Sequence, residues 1–258
     1  MKALQIAASG MMAQQRNTEV VANNLANMNT TGYQRRRTEF FDLVYSVMDR
    51  KASVSSKAGE VVPSGVRTGS GVRLGSVYRI HEQGSLNSTS NTFDLAIQGE
   101  GFFQVLLPNG ETAYTRDGTF QLNAEGELVT HDGFAVQPGI SIPVGVIDVV
   151  INSSGEVLIQ EAGEDEASSV GAIQIANFPN KAGLEALGDN LFRESPASGP
   201  ANIDNPGSLG LGTVLQGFVE TSNVNPIDEI AALIAAQRAY EMNSKVVKVV
   251  DQMMGPNR

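Results

Sequence analysis

The 258-residue chain contains no cysteine and no tryptophan, and it has only two histidines. The absence of cysteine excludes disulfide bonds, thiolate metal sites and cysteine nucleophiles. His81 and His131 lie far apart in the sequence, which favours packing or surface roles over catalysis. The motifs of nucleotide-binding loops, serine hydrolases and HExxH metalloproteases are missing as well. No run of about 20 apolar residues is present, so no transmembrane segment is predicted.

Acidic residues outnumber basic ones by 28 to 18, and the two kinds are unevenly distributed. From Arg35 to Arg79 there are 9 basic and 4 acidic residues, whereas from His81 to Glu229 there are 3 basic and 21 acidic ones. The Arg35–Arg37 run is isolated in an acidic chain, so we predict inter-subunit or solvated arginines and no nucleic-acid binding. Such a charge asymmetry can steer the association of copies.

Both ends of the chain show the periodicity of amphipathic helices. Asn225 is a predicted N-cap with Pro226 at the first helical position, and Gly255-Pro256 ends this helix. The N-terminal pattern runs from Ala3 to Met28. Heptad-like spacing predicts that the two helices pack as a coiled coil, either as a hairpin closing one domain or between copies as a filament core. The predicted self-assembly positions are Leu4, Met11, Val21, Leu25, Met28, Ala236, Tyr240, Asn243, Val246, Val247 and Val250, with Asn243 expected to fix the register.

The middle of the chain alternates apolar and polar residues and is interrupted by Asx-Gly and Glu-Gly pairs. This pattern predicts an all-β domain of antiparallel hairpins. Asp117 and Asp132 each precede a glycine in a predicted turn. A carboxylate pair can hydrolyse glycosides only if both groups lie in one cleft. Turn formation explains both residues without that condition, and we predict no enzyme and no cofactor.

These patterns together predict an α+β fold. It consists of long N- and C-terminal coiled-coil helices packed together, an extended connector, and an inserted all-β domain of antiparallel hairpins. The predicted segments are an N-terminal helix (1–32), a connector with an extended arm (33–76), an all-β outer domain (77–198), a return arm (199–224) and a C-terminal helix (225–258).

Three stretches, in the correct order, resemble the bacterial flagellar rod and hook family. The first is Asn23–Tyr33, and the third is Ser222–Asn225 together with Gln237–Lys245. Between them, Asp94–Phe103 and Tyr114–Gly118 resemble the β-domain of that family. The residues that carry the terminal motifs are Asn23, Asn24, Asn27, Asn29, Gly32, Tyr33, Asn223, Gln237 and Arg238.

One further stretch resembles the connector of the distal rod members of the family, which hook members lack. This connector is credited with making the shaft rigid. Its residues here are Val61, Pro63, Gly65, Gly69 and Gly71.

The resemblance implies a structural subunit that polymerises helically into the straight, rigid distal rod of the flagellum, transmits torque to the hook and encloses the export channel. The implied partners are copies of itself, proximal rod and hook proteins, outer ring (bushing) proteins and the flagellar type III export apparatus. The implied location is the periplasm-spanning rod, reached without a cleaved signal peptide. The alternatives are a proximal rod or hook subunit and, from a different class, a glycan-binding β-domain protein.

Overall fold

The computed structural model describes residues 2–44, 46–47, 67–143, 145–161, 167–208 and 210–255. The chain divides into two compact units. The helical unit comprises residues 1–26, 36–78 and 225–258, and the β unit comprises residues 27–35 and 79–224. Of the predicted connector, Val61, Pro63 and Gly65 lie outside the described residues.

The helical unit contains one helix from each end of the chain. Helix α1 spans Lys2–Ala26 and helix α2 spans Pro226–Met254. The side chain of Asn225 accepts a hydrogen bond from the Ile227 N–H at 3.1 Å, as expected for the predicted N-cap. Among the described residues, neither helix combines the length and the apolar composition needed to cross a lipid bilayer.

The two helices run antiparallel, because Gly10 lies against Asn243 whereas Asn24 contacts Glu229. The predicted coiled coil is wrong: the described chain has these two helices and a large middle rich in β-sheet, and it is α+β only in this broader sense. A coiled coil inserts large side chains into holes of the facing helix. Here small and polar residues make the contact, and Tyr240 is 43% exposed instead of packing in a seam.

Two short strand pairs complete the described part of the helical unit. Strand β1 (Arg36–Asp42) pairs with β4 (Val72–Arg79), and β2 (Ser46–Val47) pairs antiparallel with β3 (Arg67–Thr68). β1 packs on α1, and the Thr38 hydroxyl donates to Asn17 Oδ1 at 2.6 Å.

The β unit is built almost entirely from antiparallel pairs, because its short alternating segments are separated by turn residues. Its largest sheet has the order β16-β17-β8-β7-β11-β10-β9, with β15 pairing to β7 and to β18. Smaller sheets pair β12-β13-β14, β19-β6 and β20-β5. The strands are β5 (Leu86–Ser88), β6 (Leu95–Gln98), β7 (Phe102–Leu106), β8 (Thr112–Thr115), β9 (Phe120–Leu122), β10 (Leu128–Thr130), β11 (Ala135–Gln137), β12 (Val146–Ile151), β13 (Glu156–Glu161), β14 (Ser168–Ala172), β15 (Ile175–Asn177), β16 (Glu185–Gly188), β17 (Leu191–Arg193), β18 (Asn202–Asp204), β19 (Thr213–Gln216) and β20 (Phe218–Glu220).

Two apolar clusters form the core of the β unit. The larger one is aliphatic, except for Phe103 and Phe120, whose rings meet edge to face at 5.1 Å. The smaller one is centred on Phe102, which meets the rings of Phe178 and Phe192 at 6.0 and 5.9 Å. The smaller cluster lies on the largest sheet, whereas the larger one also includes side chains from β6, β12, β13 and β19 and so joins that sheet to two others.

Candidate functional site: the terminal helices

Helix α2 carries apolar residues on two opposite faces. One face packs on α1 and includes Ala236, which is 2% exposed. The other face carries large apolar side chains in two runs, each at steps of three or four residues, and the exposed Arg238 lies between the runs. We call the two runs together the outer stripe; it consists of Ile227, Ile230, Ile234, Met242, Val246, Val249 and Met253, each of them at least 45% exposed.

The exposed face of α1 has a different character. It presents polar and small side chains such as Gln5, Ala8, Gln15 and Glu19. Among the described residues of α1, Met12 is the one large apolar side chain that is exposed. Of the two helices, α2 therefore carries most of the exposed apolar surface.

The predicted self-assembly residues fall into three groups. Val21 and Ala236 are buried between the helices. Met28 lies beyond the end of α1 and is exposed, as are Tyr240 and Val246. The half-buried ones are Leu4, Met11, Leu25, Asn243, Val247 and Val250.

Asn24 is the best-connected of the predicted motif residues in the helical unit, and it is 1% exposed. Its Nδ2 donates to the Arg36 carbonyl at 2.8 Å and to Glu229 Oε2 at 3.1 Å. Its Oδ1 accepts from the Arg36 N–H at 2.9 Å. One amide thus holds strand β1 and helix α2 on α1, which explains why a polar residue occupies a buried helix position.

We expect Asn24→Leu to lower the free energy of unfolding of the helical unit by about 3 kcal/mol, because it leaves the Arg36 peptide groups and the Glu229 carboxylate buried without a partner. Urea unfolding followed by far-UV circular dichroism measures this change. Asn29→Leu, at an exposed motif position outside the helix, is the matched control and should change stability by less than about 0.5 kcal/mol. Equal effects of the two substitutions would contradict the role of Asn24.

Asn223 plays a comparable part in the β unit. Its Oδ1 accepts from the Arg35 N–H at 2.7 Å, and its Nδ2 donates to the carbonyls of Ile80 and Glu82, both at 2.9 Å.

Gly32, another motif residue, has a φ of +65°. An added Cβ at this position would come within 2.7 Å of the Asp117 backbone nitrogen. Only glycine fits there.

The remaining motif residues differ in how far their side chains are exposed to solvent. Tyr33 is buried and Asn27 is half-buried. Asn23, Asn29, Gln237 and Arg238 are exposed. In the connector, Gly69 and Gly71 are half-buried, and Gly71 packs on α1 beside Ser9, whose Oγ accepts from the Val72 N–H at 3.2 Å.

The structure does bring Asp117 and Asp132 to one cavity, although sequence analysis gave no reason to expect it. The cavity is also lined by Asp189 and His131, but its volume is only about 10 Å³. That space suffices for one water molecule and excludes a sugar ring.

A buried ion pair that sequence analysis missed lies in the β unit. Arg116 Nε and Glu220 Oε2 are 3.0 Å apart, and the two side chains are 6% and 4% exposed. Arg116 Nη1 also donates to the carbonyls of Gly99 and Gly101, and Glu220 Oε1 accepts from the Gly84 N–H. Burial lowers the pKa of Arg116 and raises that of Glu220, since it penalises both charges. No sequence signal could have paired them, because they are distant along the chain.

His81 is the other titratable group with a strongly altered environment. Its pKa is lowered from 6.5 to about 4, mainly by burial and in addition by the positive charges of Lys181, Arg79 and Arg116. The imidazole is therefore neutral at pH 7.

This shift predicts a loss of stability in mild acid. Below about pH 6.5 the unfolded chain takes up a proton at His81 while the folded chain does not, so stability falls as the pH decreases from about 6.5 to about 4. Allowing for solvent screening, we expect a loss of about 1–2 kcal/mol. Thermal unfolding in carboxylate-free buffers should show that His81→Gln flattens this part of the profile, whereas His131→Gln, at an exposed site, leaves it unchanged. Identical profiles for the two variants would refute the assignment.

Comparisons with known proteins bear on these terminal motifs directly. Three family models match the chain. The model described as flagella basal body rod protein matches residues 4–34, and the one described as flagellar hook protein FlgE/F/G D1 domain matches residues 96–159. The model described as flagellar basal body rod FlgEFG protein C-terminal matches residues 215–255. The flagellar basal-body rod protein FlgG of Caulobacter vibrioides is 55% identical over 98% of this chain and 97% of its own length. The chain belongs to the flagellar basal-body rod protein family. FlgG of Agrobacterium fabrum, at 48% identity, and FlgG of Bacillus subtilis, at 38%, cover 98% and 95% of the chain, and 97% and 94% of their own lengths.

Membership of the flagellar basal-body rod family confirms the resemblance on which the sequence-based function rests. It also confirms the predicted function as a structural subunit of the flagellar rod. The family is one of structural proteins, which is not an enzyme class. Two of the matching regions contain the terminal helices, so the helical unit is the part of the chain to consider for assembly.

Proposed function

We propose that the chain polymerises into the distal rod of the flagellum through contacts between copies of its helical unit. The observation that carries this proposal is the outer stripe of α2. Ile227, Met242 and Met253 are 77%, 61% and 74% exposed, which is unusual for large apolar side chains in a row. A rod subunit has an obvious occupant for such a surface, namely a neighbouring copy.

Covering the outer stripe would stabilise a polymer appreciably. Each large apolar side chain contributes roughly 1–2 kcal/mol when a partner removes most of its exposed surface from water. A contact between the outer stripe and a different surface of the next copy is not self-complementary. Repetition of such a contact produces an open helical polymer instead of a closed ring.

Two observations support the distal rod over the other parts of the shaft. Relatives named FlgG are 38–55% identical to the chain, whereas one named FlgF, from Mesorhizobium japonicum, is 31% identical. The connector stretch containing Gly69 and Gly71 resembles that of distal rod members. In the distal rod the subunit would transmit torque to the hook and enclose the export channel. It would be exported without a cleaved leader and would then contact the proximal rod, the hook and the outer ring proteins. Its role would be mechanical and not catalytic.

Electron microscopy of the purified full-length protein tests the proposal. At concentrations that permit assembly we expect straight tubes, because a distal rod subunit forms a shaft that does not bend. Curved tubes would move the assignment to a hook subunit. Protein that stays monomeric under all assembly conditions would contradict the proposal.

A further inference from the structure

A cavity in the β unit is lined by basic and amide side chains that the rod function does not use. Its volume is about 70 Å³. The lining includes His81, Arg116 and Lys181 together with Gln34 and Gln83. This combination of groups is unusual in a domain whose core is otherwise apolar.

Two of these side chains have buried polar atoms that meet neither a hydrogen-bond partner nor an opposite charge within the described part of the chain. They are both ring nitrogens of His81 and Oε1 of Gln34. Gln34 is only 6% exposed. Because buried polar groups are nearly always hydrogen-bonded, the cavity requires a polar occupant.

The surrounding charges favour an anionic occupant. Lys181, Arg79 and Arg116 each act on His81 as positive charges. Arg116 and Glu220 largely offset one another, which leaves Lys181 and Arg79 as the positive charges that act most strongly on His81. Glu100, which contacts Lys181, is 56% exposed to screening water. An ammonium group has three N–H donors, and the contact with Glu100 uses one of them.

We propose that this cavity binds a carboxylate group. The two oxygens of a carboxylate match the donors that His81 and Lys181 offer. When His81 takes up a proton from solvent, both of its ring nitrogens become donors. Protonation thus adds a donor and a positive charge for the carboxylate, so that binding is coupled to protonation.

The carboxylate can come from a small free acid or from an acidic side chain of a second copy of this chain, which carries 28 Asp and Glu residues. NMR of the two histidines in the full-length protein distinguishes these sources. In one arm the dilute protein is titrated with acetate, with chloride at equal ionic strength as the reference. In the other arm the protein concentration is raised without acetate.

We expect acetate to shift the ring signals of His81 saturably and to raise the pKa of His81 by about one to three pH units. The signals of His131, which is exposed, serve as the internal reference and should not saturate. A response of His81 to protein concentration alone would identify a second copy as the source. Absence of a saturable response in both arms would overturn the proposal.

Two variants should change acetate binding in opposite directions, a result that a general loss of folding would not produce. Lys181→Gln should weaken acetate binding at least about tenfold, because it removes a donor and a positive charge. Glu100→Gln removes the competing carboxylate from Lys181 at an exposed site and should strengthen acetate binding. Opposite changes in the two variants support the site, and changes of the same sign would refute it.

Discussion

Replacing Ile234 by glutamate should prevent polymer formation while leaving the single chain folded. Ile234 belongs to the outer stripe, is 45% exposed and is not one of the buried core residues, so we expect the single chain to tolerate the substitution. In a polymer the new carboxylate would be buried against an apolar surface, which costs several kcal/mol when the charge has no partner. We expect the concentration required for assembly to rise at least about 100-fold, as measured by sedimentation.

The matched control is Gln5→Glu. It adds the same charge to an exposed position of the helical unit, but on the polar face of α1. This variant should assemble within about threefold of the parent concentration, since the added charge can stay solvated. Assembly of the Ile234→Glu variant at the parent concentration would exclude the outer stripe as the contact surface. Loss of assembly in both variants would assign the contact to both helices and not to α2 alone.

Replacing Arg116 by methionine should destabilise the β unit by about 3–5 kcal/mol. The substitution leaves the Glu220 carboxylate buried without its counter-charge, and it removes the donors that satisfy the Gly99 and Gly101 carbonyls. The double variant Arg116→Met with Glu220→Met should lose less stability than the sum of the single variants, because it leaves no uncompensated charge. Urea unfolding of the four proteins measures this coupling.

Arg193 provides the control for an arginine lost from the same unit. It pairs with Glu111 and Glu185, but it is 39% exposed and its partners are more exposed still. Arg193→Met should therefore shift the midpoint of urea unfolding far less than Arg116→Met does. If it cost as much as Arg116→Met, burial would not be the reason for the importance of Arg116.

The terminal helices show what periodicity can and cannot predict. The N-cap at Asn225 and the existence of both helices follow from local signals, and the structure has them. The coiled coil does not follow, because a heptad pattern identifies an apolar face without fixing the size of the residues in contact. Gly10 against Asn243 and the buried Asn24–Glu229 pair bring these helices together through small and polar groups.

In the turns of the β unit, too, local sequence explains some glycines and not others. Gly110 and Gly133 have positive φ, as the Asx-Gly hairpin signal predicts. Gly118 follows an aspartate too, yet its φ is not positive. It is glycine because an added Cβ would come within 1.6 Å of the Leu95 carbonyl oxygen. Local sequence cannot reveal a constraint imposed by a strand that packs from elsewhere.

The same limit applies to the buried charges. Arg116 and Glu220 meet only because the strands that carry them are brought together by the fold. His81 likewise gives no sign in the sequence of the positive field around it, since Lys181 lies a hundred residues away.

The amide of Asn223 has a mechanical consequence. It ties three passages of the backbone, at Arg35, at Ile80 and at its own position, into one junction. Tension applied to either end of the polypeptide is then shared by hydrogen bonds that must break together. Under such tension the junction resists separation through its hydrogen bonds acting together and not one at a time.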